Sequence, residues 1–181
     1  MQSETIVVDT NITLRYPKSS DTAALYAVIE QNRPYLRHYL AWVDETKSSE
    51  DTRQFIETTA IGRAKGDNHE YLIWFQDEIA GFIAFNTIHH HIRLAILGYW
   101  LTEKFTGHGI MTKAARALVA HGFSTLGLHR IESRCALSNS KSQQVLERVG
   151  FQREGLVREA IYEDGNLVDA YQYGCLAEDL K

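Results

Sequence analysis

The chain has 181 residues, 44% of them hydrophobic and 23% charged, an ordinary globular composition with enough length for one domain and a substantial core. A net charge of −4 argues against a general nucleic-acid binder, which would carry a basic surplus or stripe. No eighteen apolar residues occur together, and the amino-terminal MQSETIVVDT has no basic region leading into an apolar run, so the expectation is a cytoplasmic protein without a membrane anchor.

Residues 12–16 are β-prone and closed by Pro17, which reads as an opening strand. Ser19, Ser20 and Asp21 then offer N-caps to a helix whose apolar stripe is Leu25, Val28 and Ile29. A second helical piece is expected over residues 35–40, where Tyr35, Tyr39 and the nearby Trp42 either join the core or line a cleft. SSEDT at 48–52 caps a further helix, with acidic residues opposing the dipole and Phe55, Ile56 and Ala60 facing inward; Lys65-Gly66-Asp67 ends it. From Glu70 the period turns strand-like. Residues 71–76 and 79–86 form a hairpin through Asp77-Glu78, and residues 92–101 form the next strand.

That strand opens the most informative stretch, residues 97–126. An apolar, aromatic strand passes through a turn with Gly107 and Gly109 into a helix whose apolar positions are Met111, Ala115, Leu118, Gly122 and Leu126. Glycines keep side chains away from the backbone, and the first amides of a helix carry partial positive charge, so such a turn can bind phosphate; it can equally be a tight connection and nothing more. The spacing is neither the GxxxxGKS/T of a nucleoside-triphosphate loop nor a dinucleotide GxGxxG.

Gly127 is the expected C-cap, followed by a strand over 130–137. Ser138 or Asn139 caps a helix with Val145, Leu146 and Val149 inward and Gly150 as its stop. A final hairpin joins 151–162 to 167–176 through Asp164-Gly165. Cys135 and Cys175 lie in apolar, strand-like surroundings, which suits buried thiols in a reducing compartment. The order is one strand, three helices, three strands, helix, strand, helix, two strands: a mixed α/β (α+β) chain forming a single domain over 1–181, with about seven strands.

Thr106-Gly107-His108-Gly109-Ile110-Met111 resembles the pyrophosphate loop of the GCN5-related N-acetyltransferases, Gln/Arg-x-x-Gly-x-Gly/Ala, with Thr106 and Met111 departing from the usual residues. Asn139-Ser140-Lys141-Ser142 and Leu146 to Phe151 (LERVGF) are similar to a second signature of that superfamily. Asn32-Arg33-Pro34-Tyr35-Leu36 with Trp42, Ser49-Glu50-Asp51-Thr52, and Gly98-Tyr99-Trp100-Leu101 are similar to its RimJ/RimL-type branch, the ribosomal-protein N-terminal acetyltransferases. The resemblance covers nearly the whole chain. It implies a mostly antiparallel sheet, flanked by helices and splayed where acetyl-CoA binds, and acetyl transfer from acetyl-CoA to a primary amine, here the α-amino group of a protein, with a ribosomal protein favoured. A small-molecule amine and a non-catalytic acetyl-CoA-binding module are the other readings. Relatives are often homodimers, which makes a homodimer the expectation.

The resemblance also assigns residues. Pantetheine would bond to the backbone at Trp100, Leu101 and Thr102, pyrophosphate would sit on the amides of Gly107, His108, Gly109, Ile110, Met111 and Thr112, and Asn139 would hold the pantetheine amide. Ser142 is the candidate general acid for the leaving thiolate, with Tyr99 and Tyr162 as alternatives, and a backbone N–H near Leu101 would hold the oxyanion. The branch often carries a glutamate two residues before the Gly-Tyr-Trp, where this chain has Ile96. An α-amino group, with an ordinary pKa of roughly 7.7 to 8, is already partly neutral near pH 7, so a water chain ending on Glu103, Glu132 or a histidine would suffice as base. His89-His90-His91 reads as a solvated loop tip beside the substrate entrance. Neighbours in an extended segment point to opposite sides and no third ligand is spaced to join them, so no metal is expected.

Overall fold

The computed structural model describes residues 5–181; residues 1–4, which belong to the leader and domain readings above, lie outside them. In chain order the elements are β1 (Thr5–Val7), β2 (Ile12–Arg15), α1 (Thr22–Leu36), α2 (Ser49–Lys65), β3 (His69–Phe75), β4 (Glu78–His89), β5 (Leu94–Leu101), α3 (Ile110–Ser124), β6 (Arg130–Ala136), α4 (Ser140–Val149), β7 (Gln152–Glu163) and β8 (Asn166–Cys175). One sheet takes all eight strands in the order β1-β2-β3-β4-β5-β6-β8-β7. Every pairing is antiparallel except β5 with β6.

Helices cover both faces of the sheet, so the central strands are apolar on both sides and read as continuous runs. Along β3, Tyr71 and Ile73 pack with Ala114, Ala115, Leu118 and Val119 of α3 and with Leu146 and Val149 of α4, while Leu72 packs on the other face with Leu25 and Ile29 of α1 and Ile56 of α2. Each such side chain, fully buried, contributes about 1.5–3 kcal/mol of transfer free energy.

Several elements differ from the sequence reading. The sheet has eight strands rather than seven: β1 is three residues long, too short to show a period, and it exists because β2 offers it an edge at Thr5↔Arg15 through Val7↔Thr13. The second helical piece over 35–40 is absent. α1 instead runs through Pro34 to Leu36, and residues 37–40 close a turn in which the amides of Tyr39 and Leu40 both donate to Leu36 O. A short 3-10 turn, Ala41–Asp44, follows, with the Arg33 guanidinium donating to the carbonyls of Val43 and Thr46. Phe55, expected inward, is 41% exposed and leans on Phe82; Thr52 and Thr59 share the buried face with Ile56 instead. α3 stops at Ser124, capped by Thr125, so Gly127 (φ +66) serves the turn into β6 rather than the cap.

One break in the sheet organises the molecule. β5 and β6 pair over only Leu94↔Arg130, Ala95↔Ile131 and Ile96↔Glu132. At the end of that short ladder the Ser133 hydroxyl donates to Leu97 O at 2.9 Å, and beyond it the strands part. β5 stays in the sheet through the fork because β4 pairs it along its other edge as far as Gly81↔Leu101. That pairing needs glycine: a Cβ at position 81 would stand 2.3 Å from Trp100 O.

Candidate active site

The fork opens into a cavity of about 1050 Å³. Its walls are the end of β5 (Tyr99, Trp100, Leu101), the turn into α3, the start and one face of α4, residues 34–40 at the end of α1 and just beyond it, and the β7–β8 turn at Asp164-Gly165. The sheet supplies a free strand edge on one side, and α3 points its amino terminus in from the other.

That terminus follows directly from the glycines. Gly107 and Gly109 have φ of +82° and +73°, conformations that residues with a Cβ adopt rarely, and among the described residues no atom lies within 4 Å of where a Cβ would stand at either. The turn therefore stays open. No side chain caps α3 and no acidic residue occupies its first turn, so the amides of Ile110, Met111 and Thr112 keep their partial positive charge at the cavity wall. On α4, Lys141, Gln144, Val145 and Arg148 recur at helical spacing and face the same space.

At the narrow end of the fork, the Tyr99 hydroxyl lies 2.9 Å from Ser142 Oγ and donates to Ser142 O at 3.2 Å. Burial drives the Tyr99 phenol well above its ordinary pKa, with the Ser142 hydrogen bond opposing it, so Tyr99 is a neutral O–H at physiological pH. The Ser142 amide donates to Asn139 Oδ1 at 3.1 Å, the N-cap of α4. That cap uses the oxygen of the Asn139 amide and leaves its nitrogen as the donor for a ligand. Cys135 is 3% exposed, and burial pushes its thiol up to about 11 against a hydrogen bond from Ser142, so it stays a thiol.

Of the residues singled out from the sequence, Trp100, Leu101, Gly107, Gly109, Ile110, Met111, Thr112, Asn139, Ser142 and Tyr99 line this one cavity. Thr102 does not: it is 2% exposed and its amide donates to Ala80 O at 2.8 Å. His108 is exposed and does not line the cavity, and Tyr162 is 46% exposed on β7. Tyr35 and Tyr39 line the cavity, whereas Trp42 stacks obliquely on Trp100, ring centroids 6.2 Å apart. Ile96 sits in the paired part of the fork. Glu103 and Glu132 are not in the wall, and Glu132 is held by Arg130 at 2.8 Å.

The histidine run is a correction. His89 ends β4 at the opposite end of β5 from Leu101, and His90 lies beside Gly66 and Asp67, so the run is far from the substrate entrance. Among the described residues no group of three His, Cys, Asp or Glu is placed to hold a metal ion. The sequence reading named Asp164 only as a turn residue and did not single out His38 among the histidines. Both line the cavity, and His38 Nδ1 lies 2.6 Å from Asp164 Oδ2; nothing in the sequence pairs residues so far apart.

Residues 11–152 match the acetyltransferase (GNAT) domain family. The chain is 33% identical over 170 residues, 91% of its own length and 95% of the relative's, to the ribosomal-protein-serine acetyltransferase of Escherichia coli (strain K12). Its structure superposes with a TM-score of 0.91 on RimL, a ribosomal L7/L12 α-N-protein acetyltransferase in complex with coenzyme A, at 33% identity over 96% of this chain and 98% of that one. It also superposes, with a TM-score of 0.88, on the microcin C7 self-immunity acetyltransferase MccE in complex with acetyl-CoA and AMP, at 31% identity over 93% and 94% of the two chains. A forked sheet, an uncapped glycine-started helix beside the fork and this agreement along the chain have one explanation: the protein belongs to the GNAT family, as an N-acetyltransferase that uses acetyl-CoA.

Proposed function

We propose that the chain, acting as one N-acetyltransferase domain, moves the acetyl group of acetyl-CoA to the α-amino group at a protein amino terminus, with a ribosomal protein as the acceptor. The observation that carries this reading is the union, in one cavity, of the free β5 edge, the uncapped start of α3 and the Tyr99–Ser142 hydroxyl pair. Pantetheine extends along Trp100 and Leu101 as a stand-in for the missing strand, with the Asn139 amide nitrogen as a further donor, and pyrophosphate rests on the amides from Gly107 to Thr112. The acceptor nitrogen attacks the thioester carbonyl, an amide near Leu101 holds the oxyanion, and the leaving sulfur takes its proton through Ser142, which Tyr99 orients. An N-terminal acceptor suits a site without the carboxylate that Ile96 replaces, because an α-amine gives up its proton some two to three pH units more easily than a lysine.

Several named relatives act on ribosomal proteins: the E. coli relative on a serine, RimL on L7/L12. The same reading takes the enzyme to be a cytoplasmic homodimer. A small-molecule amine is the second reading, favoured by the aromatic residues Tyr35 and Tyr39 in the cavity wall and by the likeness to MccE. Thiol release from acetyl-CoA, measured with peptides bearing free Ser or Ala termini, with terminally blocked lysine peptides and with polyamines, separates the two. Turnover confined to free termini supports the proposal, and turnover confined to small amines replaces it.

A further inference from the structure

An ammonium must lose a proton before its nitrogen can attack a thioester, and among the described residues the cavity wall offers no unpaired carboxylate. Its acids are Asp44, bound by Arg37 at 2.9 Å, and Asp164. Asp164 is not free either. It stands in the β7–β8 turn with its carboxylate 2.6 Å from Nδ1 of His38, and its amide donates to the His38 carbonyl at 3.0 Å. The amide hydrogen bond and this close carboxylate–imidazole contact tie the segment after α1 to the hairpin turn and hold the imidazole at the cavity wall, where its side chain is 40% exposed. A carboxylate beside Nδ1 favours the tautomer that carries its proton there, which leaves the lone pair on Nε2. Glu163 Oε1, which also accepts a hydrogen bond from the Ser138 hydroxyl, lies 3.6 Å from Nε2, so an imidazolium formed there would stand between two carboxylates. The Tyr39 ring lies edge-on to His38 at 4.2 Å, and the Arg37–Asp44 pair lines the same cavity.

We infer that His38, oriented by Asp164, is the general base of the acetyl transfer and takes the surplus proton of the acceptor ammonium at Nε2, directly or through one water. This rests on the acetyltransfer reading above and supplies the proton acceptor that Ile96 does not. The ammonium gives one proton to His38, and the freed lone pair forms the N–C bond to the acetyl carbonyl. Collapse breaks the C–S bond, the nitrogen's second proton reaches the departing thiolate through the Tyr99–Ser142 pair, and the imidazolium returns its proton to solvent.

The test is the pH dependence of kcat/KM for a free-terminus peptide in wild type and His38→Gln, with acetyl-CoA affinity measured beside it. Glutamine keeps a polar amide beside Asp164 but cannot take up a proton. The expected loss is roughly thirtyfold near pH 6.5, shrinking toward none above about pH 8.5, where the acceptor amine is neutral without help. Acetyl-CoA binding should not change, and imidazole in the buffer should restore part of the lost rate to His38→Ala. A loss equal at all pH values, or no loss, overturns the assignment while leaving the acetyltransferase reading intact. A wild type that binds acetyl-CoA yet acetylates no amine overturns both.

Discussion

Two helices of this protein begin in opposite ways. α2 starts on Ser48, whose hydroxyl accepts from the Asp51 amide at 3.3 Å while the Asp51 carboxylate accepts from the Ser48 amide at 2.9 Å, and Glu50 and Asp51 add negative charge to the first turn. α3 starts on Gly109 with no side-chain cap and no acid nearby. The same orphan amides are closed off by the chain at one helix and left open into a cavity at the other. On the proposed acetyl-CoA site, the open end of α3 is where the pyrophosphate would sit. α4 lies between these cases: Asn139 caps it from the cavity wall, using the amide of the residue whose hydroxyl faces Tyr99.

The last point yields the largest expected effect. Ser142→Ala removes the hydroxyl but leaves the capping amide, so kcat should fall about a hundredfold while the thermal midpoint holds within about a degree. If stability falls with activity, the division between amide and hydroxyl is wrong. Gly109→Val should weaken acetyl-CoA binding roughly tenfold to a hundredfold by calorimetry, because a β-branched residue resists positive φ and its side chain would cover the open amides. An unchanged affinity would remove α3 from the anion site. Under α2, burial pushes the carboxyl of Glu70 up to about 7, against the Thr59 hydrogen bond and the Arg63 charge. Between pH 4.5 and 7 the unfolded chain gives up this proton while the folded protein keeps it, so wild-type stability should fall with rising pH relative to Glu70→Gln and level off above 7. Urea midpoints at pH 5 and 8 check the sign. Smallest of all, Ser48→Ala should cost about 1 kcal/mol of stability and leave both Michaelis constants alone, the mirror image of Gly109→Val.

The elements that were legible share a local cause. The Ser48 capping box, the stops at Gly66 and Gly150, and the Asp164-Gly165 turn, with both central residues at positive φ, are each set by a few neighbouring residues. The misreadings share the opposite cause. Residues 35–40 look helical in isolation, but Arg33 reaches forward to the carbonyls of Val43 and Thr46 and draws the chain into a turn. β1 has no signal of its own and takes its form from the edge of β2.

The sequence by itself determined the strand, glycine turn and helix between residues 94 and 124, because backbone angles and apolar spacing are properties of adjacent residues. It also marked Asn139 and Ser142, since the family signature holds them within one helical turn. Only the tertiary structure decided that β5 and β6 part after three paired residues, that the histidine run lies at the far end of the sheet, and that His38 meets Asp164 above the cavity. Those are contacts between elements far apart in the chain. Their geometry comes from how the packed helices and the twisted sheet hold one another, and no local pattern encodes it.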